Sequence, residues 1–461
     1  MPFEYDIKMK MTRNEFIKGS TALATSAAFM PAFPFIASNN KTLNIALIGC
    51  GGRGNGALKN IFNAAKIVGC NIKVVALCDW FEDNAQKTQE KYNLLGAKIY
   101  AGPTAYKDVM ANKDVKAVLL VTPIGFRPIH FKAAIEAGKH VFEEKAVAVD
   151  APGIRMHLDA AKLSVEKHLT VVAGTQRRHY KPYRIQARAI KAGAIAPICS
   201  GIVRWNQKAR RVYMRDPMKD RLNKDYFVKN WNNFDFFAGD HVVEQHVHNV
   251  DIANWFIGRW PKKAVAFGLR ARALTGNQYD FFSSELDYGN DLFIHSQCRQ
   301  IDGCYGGIGE WFRTENNEIV SGGFSVKKNG KAIDLSKFAD GLLDGNPYIV
   351  EHVDFLNSIF GIGDYWNEAE QITMSTASNI MTNLSAKSGQ VVMMNDLLKN
   401  ASSRFYNLQF KPSAIDFEKD GDVELPEYGD NEFPIPGEIS LPKPRNPDDD
   451  EWMPPPPRPT A

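Results

Sequence analysis

The feature that most constrains this chain is the stretch Leu43-Asn-Ile-Ala-Leu-Ile-Gly49-Cys-Gly51-Gly52-Arg53-Gly54. It reads as a β-strand running into a G-x-G-x-x-G loop and then into a helix over about Asn55 to Val68. In that arrangement Gly49 makes the tight turn, Gly51 lets the backbone approach a pyrophosphate, and Gly54 allows close helix packing. The helix amino terminus, with Gly52 and Arg53, supplies amide donors and partial positive charge to phosphates. Taken alone the motif also fits a glycine turn in an unrelated doubly wound protein. A second strand ends at Asp79, 25 residues after Gly54. A carboxylate there accepts hydrogen bonds from both adenosine ribose hydroxyls and repels a 2′-phosphate, which favours NAD over NADP. Arg53 works against that preference, because a guanidinium in the loop can reach a 2′-phosphate.

From Lys41 onward, apolar strand-like runs alternate with amphipathic segments, the pattern of β-α-β units and a parallel sheet. The predicted strands are Leu43 to Gly49, Ile72 to Asp79, Lys116 to Thr122, His140 to Glu144 and Thr170 to Gly174. Past about Arg178 the texture changes to long alternating segments, among them Gly201 to Asn206, Lys263 to Ala273, Phe281 to Tyr288 and Asp291 to Gln300. These predict a large, mostly antiparallel sheet with one face solvated or covered by helices. Helical periodicity returns between Glu351 and Gly389. The expected fold is therefore α/β plus α+β: a Rossmann domain over 41–176, then a substrate-binding and oligomerisation domain over 177–402. Twelve of the 24 prolines lie from Pro412 onward, so 403–461 reads as an extended or disordered arm.

With 44% hydrophobic and 23% charged residues and a formal net charge of +4, the chain offers no basic run for nucleic acid. A small, largely neutral ligand fits better. The six cysteines show no close metal-binding spacing. Residues 1–40 read as an export signal or a disordered tail: Lys8, Lys10, Arg13 and Lys18 precede an apolar stretch from Thr21 to Ile36. Pro31 and Pro34 interrupt that stretch, which is too short for a stable membrane span. Thr12 to Lys18 is similar to a twin-arginine signal with Asn14 at the second arginine. A periplasmic or otherwise exported location follows, with the cytoplasm as the alternative.

Two clusters carry candidate chemistry. Glu144-Lys145 closes the strand that begins at His140, and groups at strand carboxyl ends gather around the site in open α/β sheets. A lysine there can orient a substrate hydroxyl and lower its pKa; its bland reading is a solvated surface residue. The second cluster, Gly239 to Asp251, holds His241, His246 and His248, three of ten histidines. If the segment is one helix, Glu244, His248 and Asp251 share a face. A histidine held by a carboxylate suits a general base. Metal ligation by His241, Glu244, His246, His248 and Asp251 competes, although H-E-x-x-H spacing is absent, and buried structural histidines are a third reading.

With Thr122-Pro123, His130, Ala137-Gly138-Lys139-His140 and Gly174-Thr-Gln-Arg-Arg178 added, the chain over about 41–402 resembles the glucose-fructose oxidoreductase, inositol dehydrogenase and MocA family. Gly239-Asp-His-Val-Val-Glu-Gln-His-Val-His-Asn249 is similar to the corresponding stretch of exported bacterial members. The family's Glu-Lys-Pro motif matches Glu144-Lys145, with Ala146 in place of proline, and the resemblance implies that Lys145 contacts the reacting hydroxyl. It also implies Glu244 as substrate orienter, where aspartate is usual, and His248 as general base. Cofactor contacts are expected from Gly49, Gly51, Gly52, Arg53, Gly54, Asp79, Thr122, Pro123, His130, Glu144 and Lys145. Substrate contacts are expected from Arg178, Tyr180, Trp231 and Asp251, with interdomain salt bridges as the competing reading of Arg177 and Arg178.

The expectation is an NAD-dependent oxidoreductase for a secondary alcohol of a sugar, glycoside or cyclitol, with no metal and a homo-oligomeric assembly. If the protein is exported, NAD would have to stay bound and be recycled in place. The rival expectations are a non-catalytic NAD- or sugar-binding protein on the same fold and a metal-dependent hydrolase.

Overall fold

The computed structural model of the protein describes residues 41–209, 224–271, 276–409, 412–421 and 423. The export segment read over 1–40 lies outside the described residues, as does most of the arm over 403–461.

β1 (Thr42–Ile48) is buried along its length from Ile45, as a strand covered on both faces must be. It pairs in parallel with β2 (Asn71–Asp79) and, on its other side, with β4 (Ala117–Leu120). β3 (Lys98–Ala101), unanticipated from the sequence because it is short and half exposed, adds to the β2 edge. β5 (His140–Glu143) and β6 (Val171–Ala173) complete a six-stranded parallel sheet in the order β3-β2-β1-β4-β5-β6. That order reverses at β1 and β4, and the crevice above their carboxyl ends is where such sheets bind ligands.

The second sheet has nine strands, in spatial order β14 (Lys331–Ala332), β13 (Ser325–Lys328), β12 (Glu318–Ser321), β11 (Gly307–Thr314), β7 (Ile198–Gln207), β10 (Phe293–Gln300), β9 (Phe281–Asp287), β8 (Lys263–Leu269) and β15 (Val392–Met393). β7 and β10 run parallel, and the other pairings are antiparallel. One face packs Val203, Ile294, Cys298, Phe282 and Leu286 against Val247, Val250, Ile380 and Met381 in a single apolar cluster. The last two belong to the helix Ala369–Ser388, which is buried along nearly its whole length. The expected strand from Lys263 ends at Leu269, and Ala273 lies outside the described residues.

Two expectations need correction. The segment 239–251 is not one helix: Asp240–Glu244 and Val247–Ile257 are separate, joined through Gln245 and His246, because the His246 amide bonds back to the His241 carbonyl. The described part of the proline-rich arm is not free. A 3-10 turn over Ala414–Glu418 packs its Phe417 into an aromatic cluster with Phe126, Phe227 and Phe237.

Candidate active site

The β1 turn is built as its glycines predict. Gly49 has φ +99°, and a Cβ there would collide with the Val121 carbonyl. A Cβ on Gly54 would collide with the Gly49 carbonyl oxygen, so only glycine lets the helix Gly52–Val68 close onto β1. In front of Gly51 and Gly52 there is open space. The helix carries no side-chain cap and no acid in its first turn, which leaves its amides and partial positive charge to an anion. Asp79 stands at the end of β2, its carboxylate held by the amides of Cys50 (2.7 Å) and Phe81 (2.9 Å) and by Asn84 (3.0 Å). These groups line one cleft of about 1400 Å³ together with Trp80, Tyr106, Thr122, Pro123, His130, Glu144 and Lys145. The open glycine cradle, uncapped helix end and oriented carboxylate fit a dinucleotide.

Arg53 does not face the ribose end. Its guanidinium is paired to Glu144 and Glu351 and lies over the Tyr348 ring, so it is not available to a 2′-phosphate. Thr122 Oγ1 is 3.2 Å from His130 Nδ1. Burial and the nearby Arg127 push His130 down to about 3, so its ring braces Thr122 as a neutral group.

At the other end of the cleft, Lys145 Nζ donates to the Glu244 carbonyl oxygen and lies 3.3 Å from Glu244 Oε1. Burial lowers the Lys145 pKa against the pull of Glu244 and Glu144. The Lys145–Ala146 peptide bond is cis. His248 lines the same cleft, its ring stacked on Trp205 with centroids 5.6 Å apart. Burial, then the charges of Lys145 and Arg177, hold His248 well below the ordinary histidine range, which makes it a neutral proton acceptor. Trp231 lines the cleft as well.

Three expected substrate contacts are placed elsewhere. Arg178 and Asp251 form a two-point ion pair (2.8 and 3.0 Å), and Asp251 also accepts from Gln371 and Ser375. Both side chains are satisfied inside the protein, and neither they nor Tyr180 line the cleft. Asp251 lies on the same helix as His248, on the side that meets Gln371 and Ser375 of the helix Ala369–Ser388. Arg177 likewise pairs with buried Glu310. The histidines also diverge, His241 toward the Trp205 carbonyl and His246 toward Ser296. Among the described residues no group of three or more His, Cys, Asp or Glu is placed to hold a metal ion.

Sequence reasoning missed Arg127. It is buried, and its Nη1 donates to the carbonyl oxygens of Glu144 (2.9 Å) and Ala146, the two residues flanking Lys145. Trp205 and Tyr348 were missed too, since each is brought to the cleft from a distant element.

Residues 43–174 match the family described as an oxidoreductase family with an NAD-binding Rossmann fold. The chain is 33% identical over 207 residues to the inositol 2-dehydrogenase of Burkholderia vietnamiensis, covering 44% of this chain and 58% of that one. The scyllo-inositol dehydrogenase of Lactobacillus casei, solved with NAD(H) and scyllo-inositol, superposes with TM-score 0.57 at 19% identity, covering 77% and 99% of the two chains. An oxidoreductase from Thermotoga maritima gives TM-score 0.59 at 18% identity, covering 78% and 100%. The two structures show that the fold is shared.

Proposed function

Because the chain belongs, through residues 43–174, to the GFO/IDH/MocA oxidoreductase family, we propose that it is an NAD-dependent oxidoreductase acting on a secondary alcohol of a sugar, glycoside or cyclitol. The observation that carries this reading is the junction of Lys145, Glu244 and His248 at one end of the cleft whose other end holds the glycine loop and Asp79. In this reading residues 41–176 hold the cofactor, and residues 177–402 supply the substrate pocket and a subunit contact.

Bound NAD supplies the hydride acceptor. Gly51, Gly52 and the helix amides would hold its pyrophosphate, and Asp79 would hold the adenosine ribose. Lys145 hydrogen-bonds the reacting hydroxyl and stabilises the negative charge that builds on its oxygen. His248, neutral before reaction, takes the hydroxyl proton. Glu244 orients Lys145 and a neighbouring hydroxyl, and Trp231 offers an aromatic face to the ring. If residues 1–40 direct export, the cofactor travels with the folded protein and is recycled between two half-reactions.

No helix among the described residues is long and apolar enough to cross a membrane. The outer face of the nine-stranded sheet exposes Ile202, Phe267, Phe293, Trp311 and Ile319, with Ile202 opposite Trp311 in the register. A second copy of the chain covers this face in the proposed homo-oligomer.

The test is mass spectrometry of small molecules released from denatured purified protein, followed by assay of Lys145→Ala and His248→Ala variants. NAD should be recovered, or should bind when added. Loss of the base should lower kcat by about 10²- to 10⁴-fold. Absence of any dinucleotide binding, or full turnover by either variant, overturns the reading.

A further inference from the structure

The region matched to the family ends at residue 174, yet residues far beyond it back the wall beside Asp79. Trp80, Tyr106 and Phe126 line the cleft on the side where Asp79 places the adenosine. Behind that wall sits the segment 413–419. The Phe417 ring is fully buried, with centroids 6.2 Å from Trp80, 6.0 Å from Phe126 and 4.7 Å from Phe237. The next residue, Glu418, accepts from the Tyr106 hydroxyl (2.8 Å) and from Lys107 (2.7 Å). The turn is closed on itself by Ser413 and Asp416, a capping box, and Lys224 donates to the Lys419 carbonyl. Trp80 is fixed from a further direction, its Nε1 donating to Asp225 at 2.6 Å.

We propose that residues 413–419 are a strap belonging to the cofactor site, in which Phe417 and Glu418 hold Trp80 and Tyr106 in place and so set the rate at which the dinucleotide leaves. The physical argument concerns what the wall is made of. Trp80 is only half buried, and an aromatic wall is a good surface for a base only while its rings are fixed. Phe417 fills the space behind two of these rings, and truncating it leaves a void beside them. Glu418 ties the Tyr106 hydroxyl, which burial and the carboxylate hold in its protonated, donating form. The strap touches neither Lys145 nor His248, so its effect falls on the adenosine half of the cofactor. This inference rests on the proposed NAD site and deepens it. Phe417 and Glu418 are positioning residues, not catalytic ones.

The experiment uses the full chain and measures the dissociation rate of NAD after rapid dilution, together with equilibrium binding of ADP-ribose and of nicotinamide mononucleotide. For Phe417→Ala the expected result is NAD release at least tenfold faster and ADP-ribose binding weakened by a similar factor. Nicotinamide mononucleotide, which lacks the adenosine half, should bind as it does to the unaltered protein. Phe417→Leu, which restores most of the volume, should recover slow release. If Phe417→Ala does not fold, Glu418→Ala and Tyr106→Phe each break the bond between strap and wall and should each speed release several-fold. Release within twofold of the unaltered protein in the folded variants overturns the proposal, as does equal weakening for both half-ligands. Unaltered protein that binds no NAD fails the underlying site, a separate outcome.

Discussion

At the scale of single residues, the chemistry turns on how the cleft treats two bases. Burial and the charges of Lys145 and Arg177 depress His248, so it stays neutral into more acidic solution than a free imidazole with pKa about 6.5. The acid limb of kcat/KM for alcohol oxidation should therefore fall well below pH 6.5. An acid limb at or above that value would remove His248 as the base. Burial also lowers Lys145, so the alkaline limb, where the lysine loses its proton, should lie below the ordinary lysine value of about 10.4. Arg127 gives a second prediction. Replacing it with methionine releases the carbonyls on both sides of Lys145 and should lower kcat by about a hundredfold, the scale set by misplacing a reacting group by about an ångström. Steady-state kinetics showing full turnover would contradict this. Lys145, Glu244 and His248 were legible in the sequence because each sits in a short pattern with its own chemistry. Arg127 was not, because its role lies in two backbone carbonyls that no side-chain pattern announces.

Elements are joined by close approach and by buried charge. Gly54→Ala places a methyl group against the Gly49 carbonyl, so the helix must move off β1 at a cost of about 1–3 kcal/mol. NAD titration of this variant should show binding weakened at least tenfold, and unchanged affinity would mean that the turn tolerates the shift. A second joint is His179, on the 3-10 turn after β6. Its Nδ1 meets Asp354 at 2.6 Å and its Nε2 meets Glu368 at 3.3 Å, linking the turn to the helix Pro347–Ile359 and to the start of Ala369–Ser388. Burial opposes its charge, but Glu368 and Asp354 overcome that and raise it to about 9. A raised pKa means that the stabilisation is complete below the unfolded value near 6.5 and lost as pH rises through about 9, on the order of 3 kcal/mol. Denaturant unfolding from pH 6 to 10 should show the unaltered protein losing stability faster than His179→Gln over that interval; parallel curves would contradict it. The parallel sheet was readable from its apolar runs, whereas the break at Gln245–His246 was not. Helical spacing placed Glu244, His248 and Asp251 on one face, but the local bond from His246 to His241 parts Glu244 from the helix that carries the other two, and Asp251 is taken up by Arg178.

Over the whole molecule, residues from Ile48, at the end of β1, to Tyr348 meet around one cleft. The Rossmann sheet provides the cradle, and the segment after β7 provides Glu244, His248 and Trp231. The outer sheet face exposes Ile202, Phe267, Phe293, Trp311 and Ile319, and a charge placed there tests what covers it: Trp311→Lys should shift the mass found by light scattering toward the 51.6 kDa of one chain, and an unchanged mass would place the subunit contact elsewhere. The alternating strands made this sheet legible from sequence, but the seat of Phe417 was hidden, because proline content reports where a chain cannot form regular structure and says nothing of where a single aromatic ring lands. The central claim is that this cleft moves a hydride between NAD and a carbohydrate hydroxyl. Its most direct test is the absorbance of the nicotinamide while protein and NAD are mixed with a panel of sugars, glycosides and cyclitols. Reduced nicotinamide should appear with at least one of them and be lost in Lys145→Ala. Bound NAD that stays oxidised across the whole panel would contradict the account and leave a binding protein on an enzyme's fold.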